Sequence, residues 1–278
     1  MAKVLFIGDI FGKGGREVLR QVLPQWREKY KPDVIVVNVE NMAHGKGVTM
    51  NTMDSIKDLG IDCYTSGNHV FDKGALSDEC FENYDSLIRP ANIGASYKGY
   101  GYYRFSKPKG GNGNKGSDGN QQFLIINLHG TVFLEKEFGG TLTNPFLAVD
   151  KILLEQGQKG DIIIIDLHAD ATSEKVAFGH YVDGRVSFVT GTHTHVPTAD
   201  ARVLPGGTAY ITDAGMTGPR DGVIGVKKQN VVAKFLDPNV KFKNDPEDEG
   251  VMMINGVLVE VGDNQGAVKI EKLYQEVS

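Results

Sequence analysis

The chain has 278 residues, 40% of them hydrophobic, with 30 Lys and Arg against 35 Asp and Glu and a formal net charge of −5. This balance argues against an extended nucleic-acid surface, which needs a basic face, and no apolar run is long enough to span a bilayer. The length suits an α/β enzyme filling 1–278 as one domain, and its two cysteines, Cys63 and Cys80, make no disulfide framework and read as buried, reduced thiols of a cytoplasmic protein.

In chain order, Lys3 and the apolar Val4–Gly8 read as a strand, too short and too acidic in its sequel for a signal peptide. A helix follows from about Gly14 to Tyr30 and stops before Pro32. Asp33–Asn38 is a second strand, Asn51–Leu59 a helix closed by Gly60 as a C′ cap, and Ile61–Ser66 a third strand. Shorter aromatic segments occupy Ile88–Phe105, and the Gly-, Asn-, Lys- and Ser-rich stretch 107–122 reads as an exposed hairpin loop. Phe123–Leu128 resumes a strand, and Asn144–Gln156 is a helix with Asn144 as N-cap and Pro145 at N1. Asp161–Asp166, Ser173–Tyr181 and Val186–Thr190 follow as strand, helix and strand. After Ala209–Thr212 the chain returns to β character and ends in a hairpin, Met252–Gly262 and Gly266–Tyr274, turning at Asp263-Asn264-Gln265.

The chemistry gathers where these apolar runs end. Val186–Thr190 leads into Gly191-Thr192-His193-Thr194-His195, and alternation along a strand sends His193 and His195 to one side. Four other runs end in Gly8-Asp9, Asn38-Val39-Glu40-Asn41, Gly67-Asn68-His69 and Asp166-Leu167-His168. Ligands of open α/β sheets collect at the carboxyl ends of strands. One Asp, one Glu, two Asn and up to four His exceed the needs of a single tetrahedral zinc. The set suits two adjacent ions of higher coordination number sharing a carboxylate, which is a two-metal hydrolytic centre.

These blocks resemble the metallophosphoesterase (calcineurin-like) superfamily, and more narrowly its YmdB-like bacterial subgroup. The resemblance rests on Gly8-Asp9-Ile10, Asn38-Val39-Glu40-Asn41, Ser66-Gly67-Asn68-His69, the run from His168 to Lys175, the run from Gly191 to Thr198, and Thr212-Asp213-Ala214-Gly215-Met216-Thr217-Gly218-Pro219. It covers the chain to about residue 225. Two departures from the wider superfamily stand out: Phe11 occupies the place of a histidine after the first strand, and the bridging carboxylate is Glu40, followed by Asn41. The subgroup carries both changes, with Asn41 taking up the vacated coordination. The implied fold is α/β, two stacked mixed β-sheets flanked by helices in a four-layer α/β/β/α sandwich.

On this reading Asp9, Glu40, Asn41 and His195 hold one ion, and Glu40, Asn68, His168 and His193 hold the other. The mixed N and O donors suit iron or manganese, with zinc as the alternative. The implied activity is hydrolysis of small phosphodiesters, 2′,3′-cyclic nucleotides opened to 3′-nucleotides, by metal-bound hydroxide with His69 as general acid to the leaving oxygen. Arg220, in the Gly-rich loop 212–222, is the candidate substrate contact. Partners are a small diester and, in some family members, further copies of the chain.

Blander readings stand beside these roles. His193 and His195 would otherwise be a satisfied pair at a strand end, Asp9 a helix cap and His69 a structural histidine. Gly8–Lys13 lacks the spacing and the Ser or Thr of a P-loop. His44 lies in a loop near Glu40 and serves either the site or only solvent; His129 ends a strand without being assigned as a ligand, and His180 reads as structural. Arg220 and the charges of 107–115 would otherwise be solvated surface. A regulatory or RNA-associated protein with a slow metal site, or a phosphomonoesterase, remains the alternative function.

Overall fold

The computed structural model describes residues 1–109 and 119–278. Its elements run β1 (Ala2–Ile7), β2 (Asp9–Ile10), α1 (Gly12–Tyr30), β3 (Val34–Asn38), α2 (Met50–Asp54), β4 (Cys63–Thr65), α3 (Ala75–Asn83), β5 (Tyr102–Pro108), β6 (Asn120–His129), α4 (Pro145–Gln156), β7 (Ile162–His168), α5 (Thr172–Tyr181), β8 (Phe188–Thr192), β9 (Arg202–Val203), β10 (Ala209–Ile211), β11 (Met216–Pro219), α6 (Lys228–Leu236), β12 (Met252–Val261) and β13 (Ala267–Val277).

Alternation within single strands builds the layers. In β1, Val4 and Phe6 join one apolar cluster while Leu5 and Ile7 join another. The first cluster lies between the two sheets, where Phe6 meets Phe188 edge-on with ring centroids 6.4 Å apart. The second lies under α1, with Val18, Leu19, Val22 and Trp26. β6 and β7 repeat the pattern: Phe123, Ile125, Ile162 and Ile164 face the opposite sheet, and Leu124, Ile126, Ile163 and Ile165 pack with Val149 of α4 and Phe178 of α5. Both faces of each central strand are therefore apolar, as expected for sheets covered on both sides, and the result is the four-layer α/β/β/α arrangement.

One sheet orders its strands β2-β11-β12-β1-β3-β4, with β13 also paired to β12. The other runs β5-β6-β7-β8-β10-β9. β1, β3 and β4 are mutually parallel, and so are β6, β7, β8 and β10. Parallel pairing brings the carboxyl ends of β1, β3 and β4 to one edge, and those of β6, β7 and β8 to the matching edge of the other sheet.

Several local differences have physical causes. The helix expected over Asn51–Leu59 is split: α2 ends at Asp54, and a separate 3-10 turn, Lys57–Leu59, closes on Gly60 at φ 64°. Thr49 begins α2 with a reciprocal cap to Thr52, and the 3-10 turn buries none of its own three residues. β5 and β6 pair antiparallel as far as Pro108 and Asn120, so the strands extend into both ends of the expected 107–122 loop. The remainder of that loop, 110–118, lies outside the described residues. Among the described residues, no helix is long and apolar enough to cross a membrane.

Candidate metal centre

Asp9, Glu40, Asn41, Asn68, His168, His193 and His195 meet at the shared edge of the two sheets, and all but Asn68 and His193 are buried. The loops must approach closely to achieve this. A Cβ on Gly67 would collide with the His168 ring and the Glu40 carboxylate, so that position takes glycine for lack of space.

Strand alternation is not what brings His193 and His195 together. β8 ends at Thr192, and both histidines lie in the left-handed region, at φ 99° and 66°. Such backbone costs free energy in a non-glycine residue and persists where surroundings enforce it. Here the buried Asp213 carboxylate accepts from Thr194 N–H at 3.2 Å and from Thr194 Oγ1 at 2.8 Å, and from the buried Lys175 Nζ at 2.7 Å. Lys175 also donates to the Thr192 carbonyl at 2.7 Å, and His193 N–H donates to Asp9 Oδ2 at 3.1 Å. The loop is clamped from both sides.

The side chains fall into two groups joined by Glu40. In one, His168 Nε2 lies 2.9 Å from Asn68 Oδ1, 3.0 Å from His193 Nδ1 and 3.3 Å from Glu40 Oε1. Ligand atoms of Glu40, His168 and His193 all lie within 4.8 Å of one another. In the other, Asn41 Nδ2 lies 3.0 Å from Glu40 Oε1 and 3.1 Å from His195 Nε2, and His195 Nε2 lies 3.8 Å from Asp9 Oδ2.

Outer contacts fix the ring nitrogens. Thr192 Oγ1 donates to Asp166 Oδ1 at 2.7 Å, so it accepts from His168 Nδ1–H at 2.9 Å and leaves His168 Nε2 with a lone pair. His195 Nδ1–H donates to the Ile224 carbonyl at 2.9 Å, which likewise frees Nε2. Asp166 also accepts from Thr65 Oγ1 at 2.5 Å and Asn38 Nδ2 at 3.0 Å, tying β3, β4, β7 and β8 together behind the centre.

His168 Nε2, Asn68 Oδ1 and Glu40 Oε1, all with lone pairs available, thus crowd together in a buried space, an arrangement that a cation suits. Asp9 Oδ1 is buried without any hydrogen-bond partner. Burial, followed by repulsion from Glu40, holds the Asp9 carboxyl well above its ordinary range, and burial pushes Glu40 up to about 7. Burial also lowers His193 to about 4 and His168 well below its usual value, so both imidazoles are neutral bases near pH 7. This donor set fits metal ions. Asn41 presents its amide nitrogen to its neighbours; ligation by oxygen takes an exchange of amide N and O by rotation, with the same side-chain position.

A cavity of about 620 Å³ opens on the centre. Its lining brings Glu40, Asn41, His69, His193 and His195 together with the apolar Ile224, Val231, Phe235 and Phe242. Lys46 and Lys234 also line it. Phe11, between Gly45 and Gly225, meets the His195 ring edge-on at 5.7 Å and fills space that a ligating histidine would need. His69 donates its backbone N–H to Glu40 Oε2 at 3.0 Å, and its Nδ1 lies 2.9 Å from Asp72 Oδ2. Burial lowers the His69 pKa, but the Asp72 bond and the Glu40 charge outweigh it and raise it above the ordinary value.

Arg220 is not brought to this cavity. Its guanidinium pairs with Asp221 at 2.9 Å and Glu276 at 2.9 Å on the surface, which corrects its expected place at the rim. His44 and His180 are exposed and His44 does not line the cavity, although its neighbours Gly45 and Lys46 do. His129 is fully buried beside His168, with ring centroids 5.4 Å apart. Sequence reasoning missed Asp72, Lys46 and the 223–244 wall; the only signal was the spacing of Asp72, three residues after His69 in a turn.

The chain matches the family described as YmdB-like protein over residues 5–273. A 2′,3′-cyclic-nucleotide 2′-phosphodiesterase of Bacillus subtilis (strain 168) is 41% identical over 275 residues, covering 98% of this chain and 96% of that protein. The crystal structure of a novel phosphatase from Mycoplasma pneumoniae aligns with TM-score 0.87 at 33% identity, over 99% of this chain and 93% of that one. The calcineurin-like phosphoesterase YfkN of Bacillus subtilis shares the fold, with TM-score 0.59 at 12% identity over 99% of this chain and 90% of that one.

Proposed function

This chain belongs to the YmdB-like family, and on that footing we propose that it hydrolyses 2′,3′-cyclic nucleotides to 3′-nucleotides at the Glu40-centred site. The observation that carries the reading is the gathering of metal-competent side chains on both sides of Glu40, His168, Asn68 and His193 on one and Asn41, His195 and Asp9 on the other, beside one cavity. Asp9, Asn41, His195 and Glu40 would hold one ion, and Asn68, His168, His193 and Glu40 the other. The bound ions would supply positive charge against the phosphoryl oxygens and acidify a water. Iron or manganese suits the mixed N and O donors.

The chain's own residues do the rest. His69 lines the cavity and, protonated through its Asp72 bond, gives its proton to the 2′ oxygen as the P–O2′ bond breaks. Lys46 and Lys234 offset phosphate charge at the cavity, and the apolar wall of Ile224, Phe235 and Phe242 suits a nucleobase. The pair of free, buried cysteines supports a cytoplasmic setting.

The test is hydrolysis of 2′,3′-cyclic AMP by metal-loaded protein, with products separated chromatographically and a phosphomonoester as control. Formation of 3′-AMP that is lost in Glu40→Ala supports the proposal. Turnover of the monoester alone would refute it.

A further inference from the structure

A second cavity, about 500 Å³, lies between α4 and the segment from Arg89 to Tyr102, with none of its lining residues shared with the metal-centre cavity. Its walls include Arg89, Asn92, Tyr100, Asn144, Leu147 and Lys151. Arg89 is the feature that needs explaining. The residue is only 9% exposed, yet among the described residues its guanidinium makes one hydrogen bond, from Nη1 to the carbonyl of the adjacent Pro90, at 2.8 Å. Its Nε is buried with no partner. No carboxylate of the described residues pairs with it, and burial is the sole influence on its acidity. Glu155 lines the same cavity but approaches Lys151, at 3.9 Å.

A buried cation without a counter-charge is costly, and folded proteins pair such groups or bind an anion with them. A guanidinium that spends only Nη1 on a backbone carbonyl keeps donors for the planar fork geometry that phosphate accepts. The N-terminal turn of α4, where Asn144 is the cap, brings the positive end of that helix to the same cavity. At the rim, Tyr100 is 72% exposed between Gly99 and Gly101, an aromatic face open to a planar ring. The volume lies within the range of small-ligand sites. We infer that this cavity binds a nucleoside monophosphate, its phosphate against Arg89 and Lys151 and its base against Tyr100.

The test is calorimetric titration of metal-loaded protein with adenosine 3′-monophosphate, inorganic phosphate and adenosine in turn. Wild-type protein is expected to show a nucleotide site besides the metal centre, occupied with lower affinity by phosphate alone. Arg89→Met should weaken that site by about 10- to 100-fold while hydrolysis of the cyclic diester stays within about twofold. Tyr100→Ala and Lys151→Ala, at exposed positions that spare the fold, should each weaken it by about 3- to 10-fold. They decide the matter if Arg89→Met does not fold. Nucleotide binding at the metal centre alone, or a second site indifferent to all three substitutions, would overturn the inference. Binding of phosphate as tight as that of the nucleotide would overturn the assignment of the base to Tyr100.

Discussion

Replacing Lys175 by methionine tests whether the histidine loop is clamped by a buried charge pair. Lys175 and Asp213 have side chains only 1% exposed, and Nζ lies 2.7 Å from both Asp213 Oδ2 and the Thr192 carbonyl. Removing the ammonium strands a buried carboxylate, which costs about 3–5 kcal/mol. Asp213 keeps its bonds from Thr194 and Gly215, so the low end, about 3 kcal/mol, is expected. With an m value of about 3 kcal/mol/M, the urea midpoint should fall by about 1 M. Lys175→Met combined with Asp213→Asn removes both charges and should recover more than half of the loss, since no ion is left unpaired. Metal affinity should stay reduced in both variants, because the loop has lost its clamp. A single-variant loss below about 1 kcal/mol, or a double variant no more stable than the single one, would refute the reasoning.

His69→Gln should lower kcat on the cyclic diester by about 10²- to 10⁴-fold and leave metal content unchanged, by rapid kinetics and elemental analysis. A general acid works in its protonated form, so activity falls as pH rises through the His69 pKa, which Asp72 holds up. Asp72→Asn should therefore move the falling limb of the kcat–pH profile to lower pH; an unmoved limb would exclude His69 as the group titrating there. Burial raises the Cys63 thiol far above its ordinary value and Cys80 to about 12, so neither should react with a thiol reagent at pH 8 until the protein is unfolded.

The core strands were legible in the sequence because runs such as Ile162–Ile165 are apolar on both faces and the metal-competent residues follow them directly, whereas their stacking into four layers came with the family resemblance. α3 escaped notice because it buries only Ser77, Cys80 and Phe81, a weak stripe on a short helix. α6 escaped for a stronger reason: none of its residues is fully buried, Phe235 is 86% exposed, and Val231 packs only in part on a small apolar cluster. The cavity wall of 223–244 depends on that helix and was invisible with it. The seven proposed metal ligands were named from sequence, yet strand alternation was the wrong cause for His193 and His195. Their convergence depends on left-handed backbone held by Asp213, a residue nearly twenty positions away. Arg220 illustrates the converse, since a Gly-rich loop does not reveal that Asp221 and Glu276 claim its only arginine.

The most direct test of the centre is elemental analysis of purified protein beside its Glu40→Ala variant, after anaerobic reconstitution with iron or manganese. A shared carboxylate predicts about two ions per chain in the wild type and loss of both, or a sharp fall in affinity for both, in the variant. No metal in the wild type, or full loading of both sites without Glu40, would contradict it.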